Sequence, residues 1–457
     1  MAPPDRHRSP SRRLADFLAG LSGRIDRRLL DRAADAVVDT VGCTVFGATQ
    51  PWSQAAIVHA GLTGGQGPCT VIGADRPTTP AMAAFANGSS AHAFELDDVH
   101  EEAISHPGAV VVPAALALAE AEGASIGDLL EAVVIGYEAM GRAGIAVGPA
   151  GHMLAGFHPT SMSGVFGSTA AAGRLLGFDG QMLNHAFGIA VSLASGTMEF
   201  ASSGGMAKRI HAGRAAEAGV LAASLAARGV EGATDGLAGT YGFCAVFGPD
   251  PRPELLVDAL GDRWIIDEIT VKPYAACSDI HPLIQAAAEL AAEHGLQPDR
   301  IARIEAECPT KAATQNSLDG TVSVMAAQYS AEFNIAAAIL ADPGDPATYR
   351  PERIADPALA DLQAKVVSVR AAPEFDRTYA WKMGGRVRIH LTSGEVRVRT
   401  VHGQKGSMHD RLSPEELDAK CDTLVAGLAP PGFARTLRQA VAHHSHPITD
   451  LTAFLVA

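Results

Sequence analysis

Apolar residues recur at three- and four-residue intervals through the first half of the chain, a period typical of helices with a buried face. The clearest stripe consists of Leu29, Leu30, Ala33, Val37, Val38, Val41 and Val45. Breaks that contain glycine or proline separate further segments of this kind. They predict helices over Ala81–Phe94, Val110–Glu122, Ile126–Val147, Ser161–Leu176, Gln181–Ser195 and Arg214–Ala227. Many of them are apolar on most faces, so we expect a compact all-helical domain.

The pattern changes near Arg263, where short alternating segments appear between helical ones. The alternation predicts strands over Ile265–Val271, Ile301–Cys308, Lys365–Arg370, Arg386–Thr392 and Glu395–Val401. Ser393-Gly394 joins the last two as a hairpin. Helices are predicted over Asp279–His294 and Met325–Leu340. This part of the chain therefore indicates a smaller α+β unit.

The C-terminal part is predicted to be helical again. Ser413-Pro414-Glu415-Glu416 has an N-cap serine, a proline at the first helical position and acidic residues in the first turn. Helices are also predicted over Gly432–His444 and Ile448–Val456. We therefore expect a mainly α protein, with a helical domain at 14–264 completed by 412–457 and an α+β domain at 265–411.

Composition narrows the class of protein. The chain has 457 residues, of which 47% are hydrophobic, enough for a large core and more than one domain. The formal net charge of −14 argues against nucleic acid or an anionic membrane as partner. No apolar run is long enough to span a membrane, and Met1–Arg13 is predicted to be a loose basic tail. Six scattered cysteines favour neither a metal site nor disulfides, so a cytoplasmic location is the default expectation.

Titratable groups are densest in the segment Glu95–Glu102, which is followed by His106. Five carboxylates and two imidazoles lie within twelve residues, an arrangement that like-charge repulsion makes costly. One interpretation is a solvated acidic loop. The other is the edge of an active site, where neighbouring acids have different pKa values. Apolar helices on both sides of the segment favour the second interpretation.

Basic and imidazole groups mark two further segments. His158 precedes a proline and a predicted helix start, where free N–H groups favour anions, although a lone histidine is more often structural. Lys208 and Arg209 follow the glycine-containing stretch Ser202–Gly205. They are either solvated or placed to hold carboxylates, which an arginine can bind with two parallel hydrogen bonds.

The segment Lys272–Pro282 lies where the helical domain is expected to meet the smaller one, a preferred place for sites. A small buried hydrophobic residue is the favoured interpretation of Cys277, and His281 is expected to open the next helix. The sequence has no G-x-S-x-G, P-loop, G-x-G-x-x-G or H-E-x-x-H motif. Without these motifs, acid–base catalysis by side chains is the chemistry that the sequence leaves open.

These segments, in this order, resemble the MmgE/PrpD family, which includes 2-methylcitrate dehydratase, cis-aconitate decarboxylase and iminodisuccinate epimerase. The resemblance runs from about Leu14 to the C-terminus, and each motif is weak alone but specific in combination. It rests on Leu96-Asp97-Asp98 with His106-Pro107, Gly156-Phe157-His158-Pro159-Thr160, Lys208 with His211–Ala216, Gly239–Phe243, and Lys272-Pro273-Tyr274.

The resemblance implies a large helical domain, a smaller α+β domain, a homodimer and a site between the domains. It also implies that no metal or cofactor is needed, as in most members. The pocket residues of the decarboxylase branch correspond to Glu95 (Asp there), Val99 (Thr there), His106, His158, Lys208, Lys272, Cys277 (His there) and Phe333 (Tyr there).

Removing a proton beside a carboxylate creates negative charge, which needs fixed cations and a base. As a hypothesis, Lys208 and Lys272 hold substrate carboxylates, with Arg209, Cys277, His281 and Phe333 beside them. His106 and His158 handle the proton, while Asp98 or Glu95 orients an imidazole or protonates a leaving hydroxyl. We expect a hydro-lyase similar to 2-methylcitrate dehydratase acting on a small polycarboxylic acid. The alternatives are an epimerase, a cis-aconitate-type decarboxylase, or a helical scaffold without catalysis.

Overall fold

The computed structural model describes residues 8–200, 205–317 and 323–455. The chain divides into two compact units. The first comprises the chain up to Ile269 together with the segment from Pro414 onward, and the second comprises Thr270–Ser413. The mainly helical class with a smaller mixed part, expected from the sequence, is confirmed.

Helices build the first unit, and its apolar core lies between them. They are α1 (Pro10–Ala19), α2 (Arg27–Ala48), α3 (Pro51–Thr63), α4 (Pro80–Ala91), α5 (Gly108–Glu122), α6 (Ile126–Ala146), α7 (Pro149–Leu154), α8 (Pro159–Leu175), α9 (Gly180–Ala190), α10 (Lys208–Ala227) and α11 (Phe243–Phe247). The two-residue strand β1 (Val99–His100) also belongs to this unit, and β2 (Ile269–Thr270) spans its boundary with the second unit.

The ends of these helices follow local rules. Ser125 and Asp128 form a reciprocal capping box that starts α6. Gly123 ends α5 in the left-handed conformation, with φ of 63°, which glycine adopts without strain. These capping motifs explain why α5 and α6 begin and end within two residues of their predicted limits.

Two expectations in this unit are wrong. The loose tail was expected to reach Arg13, but α1 begins at Pro10, where the side chain of Ser9 accepts a hydrogen bond from Arg12 N. The first part of that tail, residues 1–7, lies outside the described residues. The predicted strand at Ile265–Val271 is mostly a 3₁₀ helix, Ile265–Glu268, followed by β2.

Helices α4 and α10 approach each other at glycines. A Cβ atom on Gly213 would lie 2.2 Å from the carbonyl oxygen of Phe85 and 2.3 Å from Oγ of Ser89. One on Gly88 would lie 3.0 Å from Cα of Gly213. The absence of these side chains lets the two backbones pack closely. Helix α10 also begins at Lys208, six residues before its predicted start.

The second unit combines helices with one four-stranded sheet. Its helices are α12 (His281–His294), α13 (Thr310–Gln315), α14 (Val324–Tyr329), α15 (Ala331–Leu340), α16 (Pro351–Ile354), α17 (Pro357–Gln363) and α18 (Pro373–Asp376). Its strands are β3 (Ile301–Cys308), β4 (Val366–Ala371), β5 (Gly384–Leu391) and β6 (Val396–His402), in the spatial order β4-β3-β5-β6. Strands β3 and β4 run parallel, and the other neighbours run antiparallel.

The predicted hairpin is confirmed, because β5 and β6 pair from Gly384–His402 to His390–Val396. The single helix predicted over Met325–Leu340 is wrong in one respect. Ser330 interrupts it in an extended conformation, and its hydroxyl accepts a hydrogen bond from Phe333 N to start α15.

The C-terminal segment is helical, as expected, and packs on the first unit. It contains α19 (Pro414–Leu424), α20 (Phe433–Ala442) and α21 (Ile448–Leu455). Arg438 on α20 binds Asp35 on α2 at 2.7 Å, and Lys420 on α19 binds Asp39 on α2 at 2.5 Å. Across the described part of the chain, the helices are too short or too polar to cross a bilayer.

Candidate active site

The loop between α4 and α5 carries most of the predicted acidic and imidazole residues, and it is buried. The carboxylate of Asp98 accepts hydrogen bonds from Gly108 N at 2.8 Å and from the hydroxyl of Tyr137 at 2.7 Å. The ammonium of Lys420 donates to the carbonyl oxygen of Leu96 at 2.8 Å. These bonds attach the loop to the starts and sides of neighbouring helices. It is therefore a fixed segment and not the solvated acidic loop that composition alone allowed.

Asp98 itself takes part in this anchoring. It is 2% exposed, and burial raises the pKa of its carboxyl to about 7. Its two oxygens bind the helix start at Gly108 and Tyr137 and contact no imidazole nitrogen in the bonds described above. The position of Asp98 fits a group that holds the loop in place.

Asp97, the neighbouring residue, contacts two imidazoles. Its Oδ2 lies 2.6 Å from Nδ1 of His92 and 3.4 Å from Nδ1 of His106. Nδ1 of His106 donates to the carbonyl oxygen of Asp98 at 2.7 Å, which fixes a proton on Nδ1. The rings of His92 and His106 are 5.0 Å apart between centroids. One carboxylate thus lies against both rings.

His158 forms a second imidazole group with His211. His158 is the N-cap of α8, and its N–H donates to the carbonyl oxygen of Gly196 at 3.1 Å. Its Nδ1 lies 3.0 Å from Nδ1 of His211 in the first turn of α10. Burial and the nearby His92 and Lys208 hold the pKa of His158 well below its usual range and lower that of His211 to about 4. Both rings are therefore neutral at pH 7.

The imidazoles of His92 and His106 lie next to those of His158 and His211. The ring centroid of His92 is 5.9 Å from that of His158, and Phe200 packs edge-on against His158 and His211 at 5.5 and 5.6 Å. Four imidazoles with different electrostatic surroundings thus share one buried region of the first unit.

Two cations enter the same region from α10. Oε1 of Glu95 pairs with the ammonium of Lys208 and, at 3.3 Å, with Nη1 of Arg209. The guanidinium of Arg209 also lies over the ring of Trp52, 5.5 Å from its centroid. All three charged side chains are less than a tenth exposed. Lysine and arginine are also the side chains that bind the carboxylates of small ligands.

Glu95 has a left-handed backbone with φ of 59°. This conformation is uncommon for a residue with a side chain and persists where the surroundings determine it. Here the ion pairs with Lys208 and Arg209 provide that restraint. The strained residue lies within the loop, shortly after α4 ends at Ala91.

Glu102, at the far end of the acidic segment, does not join this cluster in the contacts that the structure shows. It pairs with Arg263, which also binds Glu268 at 2.6 Å. Nε2 of His100 lies 3.1 Å from Oε2 of Glu268. The segment predicted as one group of charges is therefore divided between a buried imidazole cluster and an outer ion-pair network.

His92, Asp97 and His106 are also the group that could hold a metal ion in the described part of the chain. Their donor atoms lie within 4.8 Å of one another. Two ligands at about 2.1 Å from a metal can be at most about 4.2 Å apart, and the contacts of Asp97 with the two imidazoles, 2.6 and 3.4 Å, are within that limit. The 2.6 Å contact of His92 with Asp97 has the length of a hydrogen bond.

The remaining predicted residues belong to the second unit. Lys272, His281 and Phe333 are almost fully buried there, and His281 opens α12 as expected. Nε2 of His281 lies 3.2 Å from the carbonyl oxygen of Ala276. Burial raises the pKa of Cys277 to about 12, so its thiol stays protonated. A role in substrate binding stays a prediction for all four.

The structure brings together Glu95, His106, His158, Lys208 and Arg209 from the predicted set. Ser202–Gly204, the stretch before Lys208, lies outside the described residues. The prediction did not assign roles to His92, Asp97 and His211. His92 stands in an Ala-rich segment typical of a core, while His211 lies three residues after Lys208, a helical spacing that could have indicated a shared face.

Comparison with known proteins gives matches over most of the chain. The sequence profile described as the MmgE/PrpD N-terminal domain matches residues 12–256, and that of the MmgE/PrpD C-terminal domain matches residues 274–445. Cis-aconitate decarboxylase of Aspergillus terreus is 29% identical over 449 residues, covering 93% of this chain and 91% of the relative. Human cis-aconitate decarboxylase is 31% identical over 414 residues, covering 87% and 84%. A cis-aconitate decarboxylase-like protein of Aspergillus oryzae is 34% identical over 288 residues, covering 60% and 59%.

Proposed function

The chain belongs to the MmgE/PrpD family, and from this premise we propose that it is a lyase acting on the carbon beside a carboxylate of a small polycarboxylic acid. One observation carries the proposal: two neighbouring imidazole groups have opposite electrostatic surroundings. Oδ2 of Asp97 lies against Nδ1 of His92 and of His106, whereas burial and nearby cations keep His158 neutral. Titratable groups arranged in this way can serve as an acid and a base.

His158 is the base in this proposal and His106 is the acid. A neutral imidazole at His158 takes a proton from carbon, and the resulting negative charge is stabilised by fixed cations. His106 donates from Nε2, because its Nδ1 proton is held by the carbonyl oxygen of Asp98 and faces Asp97. Lys208 and Arg209 supply the positive charge that holds substrate carboxylates.

Decarboxylation of an unsaturated tricarboxylic acid of the cis-aconitate type is the first candidate reaction. It is the activity named for the relatives from Aspergillus terreus and Homo sapiens, which match most of the chain. In this reaction the bond to a carboxylate breaks, its electron pair moves into the carbon skeleton, and an imidazolium returns a proton to carbon. The acid at His106 is sufficient for that last step.

Dehydration of the 2-methylcitrate type is the second candidate, and the presence of a base as well as an acid favours it. His158 removes the proton beside the carboxylate, the electron pair forms a double bond, and His106 protonates the leaving hydroxyl. This is the reaction expected from the sequence. Epimerisation uses the same base and returns the proton from the other face.

The test is incubation of the purified protein with cis-aconitate, 2-methylcitrate, citrate and the stereoisomers of iminodisuccinate in deuterated water, followed by NMR. Release of carbon dioxide identifies a decarboxylase, loss of water a dehydratase, and deuterium entry without net conversion an epimerase. The proposal is wrong if none of these acids reacts or takes up deuterium.

The variant His158→Ala tests whether His158 is the base. An acid–base group contributes about 10²–10⁴-fold to rate, so turnover of the true substrate is expected to fall by at least about a hundredfold. His185→Gln is the matched control, because His185 is a half-buried histidine of the same unit whose Nδ1 lies 3.3 Å from the carbonyl oxygen of Gly232. If a folded His158→Ala variant keeps its rate within about tenfold, His158 is not the base.

A further inference from the structure

The contact between His158 and His211 joins two chemically identical atoms. Nδ1 of each ring lies 3.0 Å from Nδ1 of the other, a hydrogen-bond distance. Two lone pairs or two N–H groups facing each other would repel, so one nitrogen carries a proton and the other accepts it. The tautomers of the two rings are therefore coupled.

The rings are also held in this arrangement. The main chain of His158 is fixed by its bond to Gly196 and by Pro159, which starts α8. His211 lies on α10, the helix that packs closely on α4 through Gly213. The ring of Phe200 lies edge-on against both imidazoles. These contacts hold the two side chains next to each other.

We infer that His211 is a positioning residue which accepts the Nδ1 proton of His158 and so keeps the lone pair of His158 on Nε2. The inference rests on the proposed function in one respect, the role of His158 as base. In the opposite pairing His158 would carry its proton on Nε2 and would have no lone pair to offer there.

The hydrogen bond between His158 and His211 also stabilises the state that follows proton transfer. When Nε2 of His158 takes a proton from carbon, the ring becomes an imidazolium whose Nδ1–H bond to the neutral His211 is charge-assisted and stronger. The electron pair of the broken C–H bond stays on the substrate. A neutral acceptor suits this site, because the groups facing His158 already include His92, His106 and Lys208.

Two nearly isosteric variants separate acceptance of the proton from simple filling of space. The amide oxygen of His211→Gln can accept from Nδ1 of His158, whereas the thioether of His211→Met is a weak acceptor. The full-length protein is labelled with ¹⁵N-histidine, and the ring signals of His158 are assigned by their loss in His158→Gln. The shifts of Nδ1 and Nε2 then report which nitrogen carries the proton.

The wild-type protein and His211→Gln are expected to hold the proton of His158 on Nδ1, and His211→Met is expected to shift it toward Nε2. In kinetics, His211→Met should lower kcat/KM by about tenfold to a hundredfold, as loss of an orienting partner typically does, and His211→Gln should recover most of the loss. His185→Gln should change neither readout.

The inference is overturned if His158 carries its proton on Nε2 in the wild-type protein, or if His211→Met leaves the ring shifts unchanged. It is also overturned if folded His211→Gln is no more active than His211→Met. The ring measurement needs no substrate. If the shifts behave as expected and no polycarboxylate reacts, the proposed function fails while the pairing stands.

Discussion

The ammonium of Lys420 lies 2.8 Å from the main-chain carbonyl oxygen of Leu96, inside the loop that carries the candidate active-site residues. The same ammonium binds Asp39 on α2 at 2.5 Å, and both side chains are less than a tenth exposed. Burial raises the pKa of Asp39, and the charge of Lys420 opposes that shift. One lysine thus joins α19, α2 and the loop.

Lys420→Met should destabilise the protein by about 3–5 kcal/mol, because it leaves the carboxylate of Asp39 buried without its partner. Urea unfolding at pH 7 measures the change. Arg27→Met is the matched control, on the helix α2 that carries Asp39. Its pair with Asp31 is more than half exposed, so its loss should cost less than about 1 kcal/mol.

The double variant Lys420→Met/Asp39→Leu separates stability from positioning. Replacing both buried charges with apolar groups should restore much of the lost stability, while the carbonyl oxygen of Leu96 still lacks its donor. Activity should therefore stay low when stability returns. Equal recovery of both would show that Lys420 does not position the loop.

Asp97→Asn and Asp98→Asn are expected to differ although the residues are adjacent. Asp97 contacts His92 and His106, so loss of its charge should lower kcat/KM by about tenfold to a hundredfold with little change in unfolding. Asp98 binds Gly108 and Tyr137, so its variant should alter stability more than rate. Steady-state kinetics and urea unfolding on both proteins check this. The opposite ranking would assign the imidazole support to Asp98.

Two buried groups give stability opposite dependences on pH. The pKa of Asp98 is raised from 3.8 to about 7, so between these values the folded state binds more protons and stability falls as pH rises. The pKa of His211 is lowered from 6.5 to about 4, so in that window the unfolded state binds more protons and stability falls as pH decreases. His158 acts in the same direction as His211.

Variants separate the two effects, each of which has a slope of at most about 1.4 kcal/mol per pH unit for one proton. Asp98→Asn should remove the loss of stability toward pH 7, and His211→Gln should remove part of the loss toward pH 4. Urea unfolding at pH 4.5, about 5.5, about 6.5 and about 7.5 measures both curves across these windows. Parallel curves for the wild type and both variants would contradict the assignments.

Gly213→Ala should destabilise the protein by about 1–3 kcal/mol, because its Cβ would overlap Phe85 O and Ser89 Oγ where α10 meets α4. Activity should fall as well, since α10 carries Lys208 and His211. Thermal unfolding and kinetics check both effects. Gly61→Ala on α3 is the control: nothing lies within 4 Å of its Cβ, so it should be neutral or slightly stabilising. Equal effects at the two positions would exclude close packing as the cause.

Neighbouring residues were sufficient to predict the helices and strands whose ends carry capping or turn motifs. Helix α6 starts at the capping box of Ser125, and the hairpin of β5 and β6 turns at Ser393-Gly394. The start of α10 was missed because Lys208 and Arg209 look like solvated loop residues. They are buried and helical since Glu95, more than a hundred positions away, neutralises part of their charge. A window of neighbouring residues does not contain that information.

The residues of the candidate site also differ in how far the sequence predicts them. His106, His158 and Lys208 were predictable from motifs, because a histidine or lysine beside proline, glycine or a helix start is conspicuous. His92 and Asp97 become a pair only when the loop folds back over five residues to bring Nδ1 and Oδ2 within 2.6 Å. His211 gains its significance from His158, and the two are brought together by the packing of α8 and α10.

Because Lys420 binds the carbonyl oxygen of Leu96, the loop of the candidate site gains one of its restraints only when the C-terminal segment has been synthesised. A ribosome adds Lys420 324 residues after Leu96, so the loop gains this restraint only long after its own residues have been made. A shortened polypeptide that stops near residue 256, where the match to the N-terminal domain profile ends, would contain all four imidazoles of the cluster. It would nevertheless lack the cation that holds the backbone between them.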